Sequence, residues 1–196
     1  MDVTAVQITL HHEAKDFLFE HYVILRRLFS NVLGQLETDY ISIALINQNG
    51  QLFFLSSKPS IEQNLIEKGL WQYDGSYQAD FIYQELPKLW AELLCLENAA
   101  LLKQYKQQSQ ALTMGISIPT NFADYRAIFS FGFKRENFLI QKKEPSQCNK
   151  LLALGKYCLR EIKEFVPFPD QKKCYTTKPK LKLIINNREL YEKTSR

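Results

Sequence analysis

The sequence predicts an α+β protein, an α-β-α sandwich with a small antiparallel sheet covered by helices on both faces. Two pairs of short runs rich in Ile, Leu, Phe and Tyr, 40–46 with 51–55 and 112–119 with 126–134, have the length and composition of strands joined by short turns. Amphipathic segments with helical spacing stand before, between and after these pairs. Strand pairs with helices inserted between them make a layered α+β fold, not a repeating βαβ one.

Each element has its own signal. Residues 12–33 place Phe17, Leu18, Tyr22, Leu25, Leu28, Phe29, Val32 and Leu33 at helical spacing, and Gly34 is the natural stop. The runs 40–46 and 51–55 form a hairpin about Asn49-Gly50, a type I′ signal. The next helix, capped by Ser60, turns Ile61, Leu65 and Ile66 inward and closes at Gly69. Residues 77–108 read as helical, interrupted at Pro87 and near Leu96-Glu97. The strands 112–119 and 126–134 flank a loop with Asn121 and Asp124. The last helix, 146–166, is ended by Pro167 and Pro169. The first and last helices should cover one face of the sheet. The middle helices and residues 56–80 should cover the other, where a pocket could open.

This divides the chain into a domain at 1–168 and a basic tail at 169–196, a hairpin or a linker. The run "KLKLIINNRELY" with its turn at Asn186-Asn187 suggests the hairpin. From Lys172 onward, eight basic residues face only Glu189 and Glu192. Such a tail suits phosphate or anionic lipid, or else is a solvated terminus.

Composition is that of an ordinary globular protein, 45% apolar and 23% charged. Cys95, Cys148, Cys158 and Cys174 show no C-x-x-C spacing, and the three histidines cluster near the N-terminus, so no metal and no cofactor is expected. With no apolar stretch of membrane-spanning length and no signal-peptide order, a cytoplasmic protein with reduced thiols is expected. No phosphate loop or nucleophile elbow appears, and His11-His12-Glu13 reads as a solvated turn, so catalysis is not expected.

The candidate site centres on "GLWQYDGSYQAD", residues 69–80, where Asp74 stands among Trp71, Tyr73 and Tyr77. Asp74 has two readings: a buried acceptor that orients a guest, or an N-cap for a helix beginning near Ser76. Trp71, Tyr73 and Trp90 are pocket walls or core. Tyr40, Ser42 and Ala44 share one face of their strand, and Phe54 with Leu52 one face of the next. Ser130, with Arg126, Ile128 and Gly132, alternates with a phenylalanine face that belongs to the core. The small Ser-Gly face is pocket or surface.

The hairpin "YISIALINQNGQLFFLSS", the segment "EKGLWQYD" and the later "MGISIPTNFADYRAIFSFGF" together resemble the autoinducer-binding domain of LuxR-type regulators, over about residues 14–166. The resemblance implies a GAF/PAS-like sensor architecture and a cytosolic quorum-sensing domain with a small apolar or amphipathic ligand between sheet and helices. It also implies a homodimer whose DNA contact lies in a helix-turn-helix output domain. Asp74 matches the aspartate that accepts the lactone amide, Gly115 the strand glycine, and Ser130 a small polar residue facing the pocket. The positions of the pocket Trp and Tyr fall on Ile61 and Leu65, and Gly75 stands where the family has proline. Neither side chain donates a hydrogen bond, which points away from a lactone toward a more apolar guest, or to an interaction module without one. The ending "LYEKTSR" resembles the approach to the output domain. The expectation is a sensor half without that domain, with DNA contact left to it or to the basic tail.

Overall fold

A computed structural model describes residues 7–93 and 97–171. Its strands are β1 (Thr9–Leu10), β2 (Tyr40–Ile46), β3 (Gln51–Ser56), β4 (Lys88–Leu89), β5 (Met114–Phe122) and β6 (Tyr125–Phe133). They form one sheet in the order β1-β3-β2-β6-β5-β4, antiparallel throughout except for the parallel β1–β3 edge. The helices are α1 (Ala14–Glu20), α2 (Tyr22–Ser30), α3 (Pro59–Glu67), α4 (Ala79–Ile82), α5 (Ala99–Lys106), α6 (Phe138–Gln141) and α7 (Pro145–Phe165).

Alternation along the central strands makes two cores. Ile41, Ile43 and Leu45 of β2 and Phe129, Phe131 and Phe133 of β6 point to one side, where α1, α2 and α7 bring Phe17, Phe29, Leu151 and Ile162. Tyr40, Ala44, Phe54 and Ile128 point to the other, against Ile61 and Leu65 of α3, Leu102 of α5 and the 3-10 turns Leu70–Tyr73 and Trp90–Glu92. The expected layers are therefore present, with α2 and α7 on one face, α3 and α5 on the other, and α1 reaching both.

Several elements differ from expectation. The single helix 12–33 breaks at His21, which leaves helical geometry at φ −113° and ψ 19°. Phe17 and Leu18 enter opposite cores from α1, whereas α2 packs on α7, and one straight helix cannot meet both demands. The β2–β3 turn is not type I′, because Gly50 alone in it has positive φ (+74°). Asn47 shapes it instead, its Oδ1 accepting the N–H of Asn49 and of Gln51, both at 2.9 Å. Helix α3 starts on Pro59 with Lys58 at its N-cap and no cap from Ser60.

Residues 83–89 are not helical. Pro87 favours extended backbone before it, and Lys88 and Leu89 then pair with Ser117 and Ile116 at the edge of β5. The β5–β6 strands run longer than expected, down to Phe122 paired with Tyr125, leaving Ala123 at φ +50° in a two-residue turn. Neither β1 nor α6 was expected. His11, expected in a solvated turn, is buried: β1 carries it along β3, where it meets the edge of Phe53 and stands 3.5 Å from Asp170. The hairpin proposed within the tail lies outside the described residues.

Cys148 and Cys158 are free thiols, and burial pushes that of Cys158 up to about 12. Among the described residues no helix is long and apolar enough to cross a membrane.

Helix α7 lies close on the sheet at Gly155, where a Cβ would stand 2.6 Å from the Phe129 ring. Alanine gains about 1 kcal/mol of helix propensity there but overpacks the contact by about 1–3 kcal/mol. Gly155→Ala is expected to lower the urea midpoint; a rise would mean that α7 backs away at no cost.

Candidate functional site

The register of the four central strands lines up Ser56, Ser42, Ser130 and Ser117 as neighbours across β3, β2, β6 and β5. All four are buried on the face covered by α3 and α5. A row of hydroxyls inside a core needs partners, because an unpaired buried polar group costs about 1–3 kcal/mol. The partners come from two directions and form two clusters.

The first cluster gathers over Ser117 and Ser130. Their hydroxyls are 2.8 Å apart, Ser76 Oγ lies 3.2 Å from Ser117 Oγ, and the Trp90 indole N–H donates to Ser117 Oγ at 3.1 Å. Above them, Asp74 accepts from the Ser76 N–H at 2.9 Å through Oδ1, capping the 3-10 turn Gly75–Tyr77. Its other oxygen, Oδ2, takes the ammonium of Lys106 at 2.5 Å, and that ammonium also donates to Ser76 Oγ at 3.2 Å. Lys106 arrives from the last turn of α5 and is only 5% exposed. Its charge sits 4.6 Å from the Trp90 ring centre and 5.8 Å from that of Tyr77. Breaking a buried pair by deleting one partner typically costs about 3–5 kcal/mol, since the other charge stays behind.

Trp90 fills the space that the small residues leave. Gly132 and Gly115 are neighbours in the register, and a Cβ on Gly115 would stand 2.2 Å from the indole. The glycines thus form the bed of the ring, and Tyr40 meets it edge-on at 5.9 Å. What remains beside Asp74, Trp90, Leu102 and Lys106 is a void of about 10 Å³, at the lower limit for one water molecule. A surface groove of about 420 Å³, lined by Leu89, Ala91, Met114 and Gly115, shares Lys103 and Gln107 with that void.

The second cluster sits over Ser42 and Ser56. Tyr40 donates its phenol to Oε1 of Glu62, a fully buried carboxyl on α3. Oε2 of Glu62 and the Ser42 hydroxyl make no hydrogen bond of good geometry. Burial pushes the Glu62 carboxyl above its usual range, and the nearby hydroxyls of Ser56, Tyr40 and Ser42 only partly oppose this. Burial also raises the phenols of Tyr40 and Tyr77 well above theirs, with the Glu62 charge adding to the rise for both.

Of the residues singled out in the sequence, Asp74, Ser130 and Trp90 meet in the first cluster, and Tyr40 and Ser42 belong to the second. Phe54 stacks edge-on against Tyr77 at 5.3 Å. Trp71 lies apart, lining a different surface groove with Ile8, Leu10 and Gln78, and Tyr73 is half-buried at the margin of the same core. Sequence reasoning missed Lys106, Glu62, Ser76, Ser117 and Ser56. Ser117 carried a readable signal, two residues after Gly115 as Ser130 is two before Gly132. Gly75, found where a proline was noted in the resembling family, donates its N–H to Leu93 O at 2.9 Å, which proline could not do.

No protein-family model and no curated protein matches the sequence. Solved structures do match it in fold. Escherichia coli SdiA aligns at 12% identity and TM-score 0.53 over 79% of this chain and 69% of that one. SdiA in complex with octanoyl-rac-glycerol aligns at 15% and 0.53, over 74% and 62%. The N-acylhomoserine lactone dependent LuxR-family transcription factor CepR2 of Burkholderia cenocepacia aligns at 11% and 0.51, over 72% and 86%. The fold is thus that of the autoinducer-binding domains of LuxR-type regulators.

The raised Glu62 carboxyl gives a signed prediction. Its folded pKa lies above the unfolded one, so the native state holds the extra proton. The stability this contributes is full below the usual carboxylate range and is lost as pH rises through the folded value. Glu62→Gln keeps an acceptor for Tyr40 and carries no charge at any pH. Thermal melts should place the variant above wild type at pH 8 and level with it near pH 4. A gap independent of pH would rule out carboxyl burial as its source.

Proposed function

We propose that this chain is the cytoplasmic sensor domain of a LuxR-type transcriptional regulator, taking a small apolar or amphipathic guest between α5 and the sheet and acting without catalysis. The observation that carries the reading is the buried polar row under Trp90, ending in Asp74 and Lys106. An apolar filling would serve stability as well or better. Polar groups converging at one spot among apolar walls are what orients a guest. Among proteins of this fold, one SdiA structure contains octanoyl-rac-glycerol and CepR2 is N-acylhomoserine lactone dependent. Ile61 and Leu65 are buried here and offer no hydrogen bond, which argues against a guest that needs donors at those positions for a lactone or acyl carbonyl.

Entry of a guest requires Lys106 or Trp90 to move, so binding would be coupled to the position of α5. Such coupling acts only through the guest's differential affinity for the closed and open states. The output would pass to a homodimer and to DNA contacts made by a separate module or by the basic residues after Lys172.

A second reading, an interaction module without a guest, is favoured by one observation, the void of only about 10 Å³. Exposed apolar residues on α2 and α7, among them Val23, Ile24 and Phe165, would then supply the protein contact.

Native mass spectrometry of the chain purified from its own host separates the two. The expected result is a bound small molecule released on denaturation. A guest-free protein of discrete dimer mass would overturn the sensor reading in favour of the second.

A further inference from the structure

We propose that the Asp74 site is an ammonium site, occupied from within by Lys106, and that the guest able to displace this lysine is an alkylammonium. The proposal builds on the sensor reading and names its ligand class. Everything around Nζ suits a cation stripped of water. A carboxylate oxygen stands at 2.5 Å, a hydroxyl oxygen at 3.2 Å, and the Trp90 and Tyr77 rings at 4.6 and 5.8 Å from their centres. Aromatic faces attract a cation through their quadrupole, most strongly where water is excluded. A neutral N–H donor would gain little from the rings.

The carboxylate sets the same demand. Among the described residues, Oδ1 of Asp74 accepts the Ser76 N–H and Lys106 is the ion-pair partner of its carboxylate. A neutral guest that moved Lys106 aside would leave a buried carboxylate without a countercharge, which is strongly unfavourable. A protonated amine replaces the charge one for one. The path for its chain is already drawn, because Lys106 is itself a four-carbon alkylammonium lying beside Leu102, Gln107 and Trp90. Beyond Lys103 and Gln107, the groove lined by Leu89, Ala91 and Met114 offers apolar walls for a longer tail.

The test is chemical rescue in the full chain. Lys106→Ala should melt well below wild type and recover in a saturable way with n-butylammonium chloride, but not with 1-butanol or with sodium chloride. Recovery should vanish in Asp74→Asn/Lys106→Ala. An equal response to butanol, or no response to butylammonium, would overturn the proposal. If Lys106→Ala does not fold, Lys106→Met retains the shape without the charge. It should be less stable than wild type and less stable than Asp74→Asn/Lys106→Met. Lys106→Met matching either of them would overturn the assignment. A neutral molecule co-purifying with wild type beside a failed rescue would sink the ammonium assignment alone. A guest-free wild type beside a successful rescue would sink only the sensor reading.

Discussion

The antiparallel pairing of β2 with β6 is the constraint on which the rest of the molecule depends. It sets Ser42 opposite Ser130, Tyr40 opposite Gly132 and Ala44 opposite Ile128, with Ile43 opposite Phe129 on the other face. A slip of one residue would exchange the two faces and turn the phenylalanines of β6 toward α5. With the register held, one face is apolar along β2 and β6 and takes α7, whose Gly155 rests on Phe129. The opposite face carries small and polar side chains, and that asymmetry is what gives the second layer chemistry.

That second layer is filled by residues from loops and short helices, not by the sheet itself. Trp90 comes from a 3-10 turn just after the edge strand β4, Lys106 from the end of α5, and Asp74 from a turn between two 3-10 segments. None of these side chains belongs to a long regular element. Each is positioned by hydrogen bonds: Trp90 by Ser117, Asp74 by the Ser76 N–H, and Lys106 by Asp74. The layer therefore depends on a satisfied polar network, and such networks are stable when complete and weak when one member is missing.

Much of this was legible in the sequence. The two strand pairs, the final helix and the assignment of helices to faces follow from alternation and helical spacing, which are properties of a few consecutive residues. The Ser-Gly face of β6 and the Tyr-Ser-Ala face of β2 were readable for the same reason. The break at His21 was not, because the spacing through residues 12–33 is helical and only the packing of α1 into both cores and of α2 on α7 bends the chain. The strand at Lys88–Leu89 was half visible in Pro87, but its pairing with β5 joins residues 29 and 27 apart in sequence, as Lys88 meets Ser117 and Leu89 meets Ile116.

Asp74 shows the division most clearly. The sequence by itself offered two readings of this aspartate, and the cap was legible because the oxygen and the N–H it accepts are two residues apart. It equally determined which faces of β2 and β6 would be small, because side chains alternate along any strand. Only the tertiary structure decided that the same carboxylate would hold Lys106, 32 residues away. A lysine at the end of an amphipathic helix reads as a solvated side chain. Its burial follows from where α5 is seated, and that depends on Trp90, the two glycines beneath it and the serine row, groups that meet only after the sheet has formed.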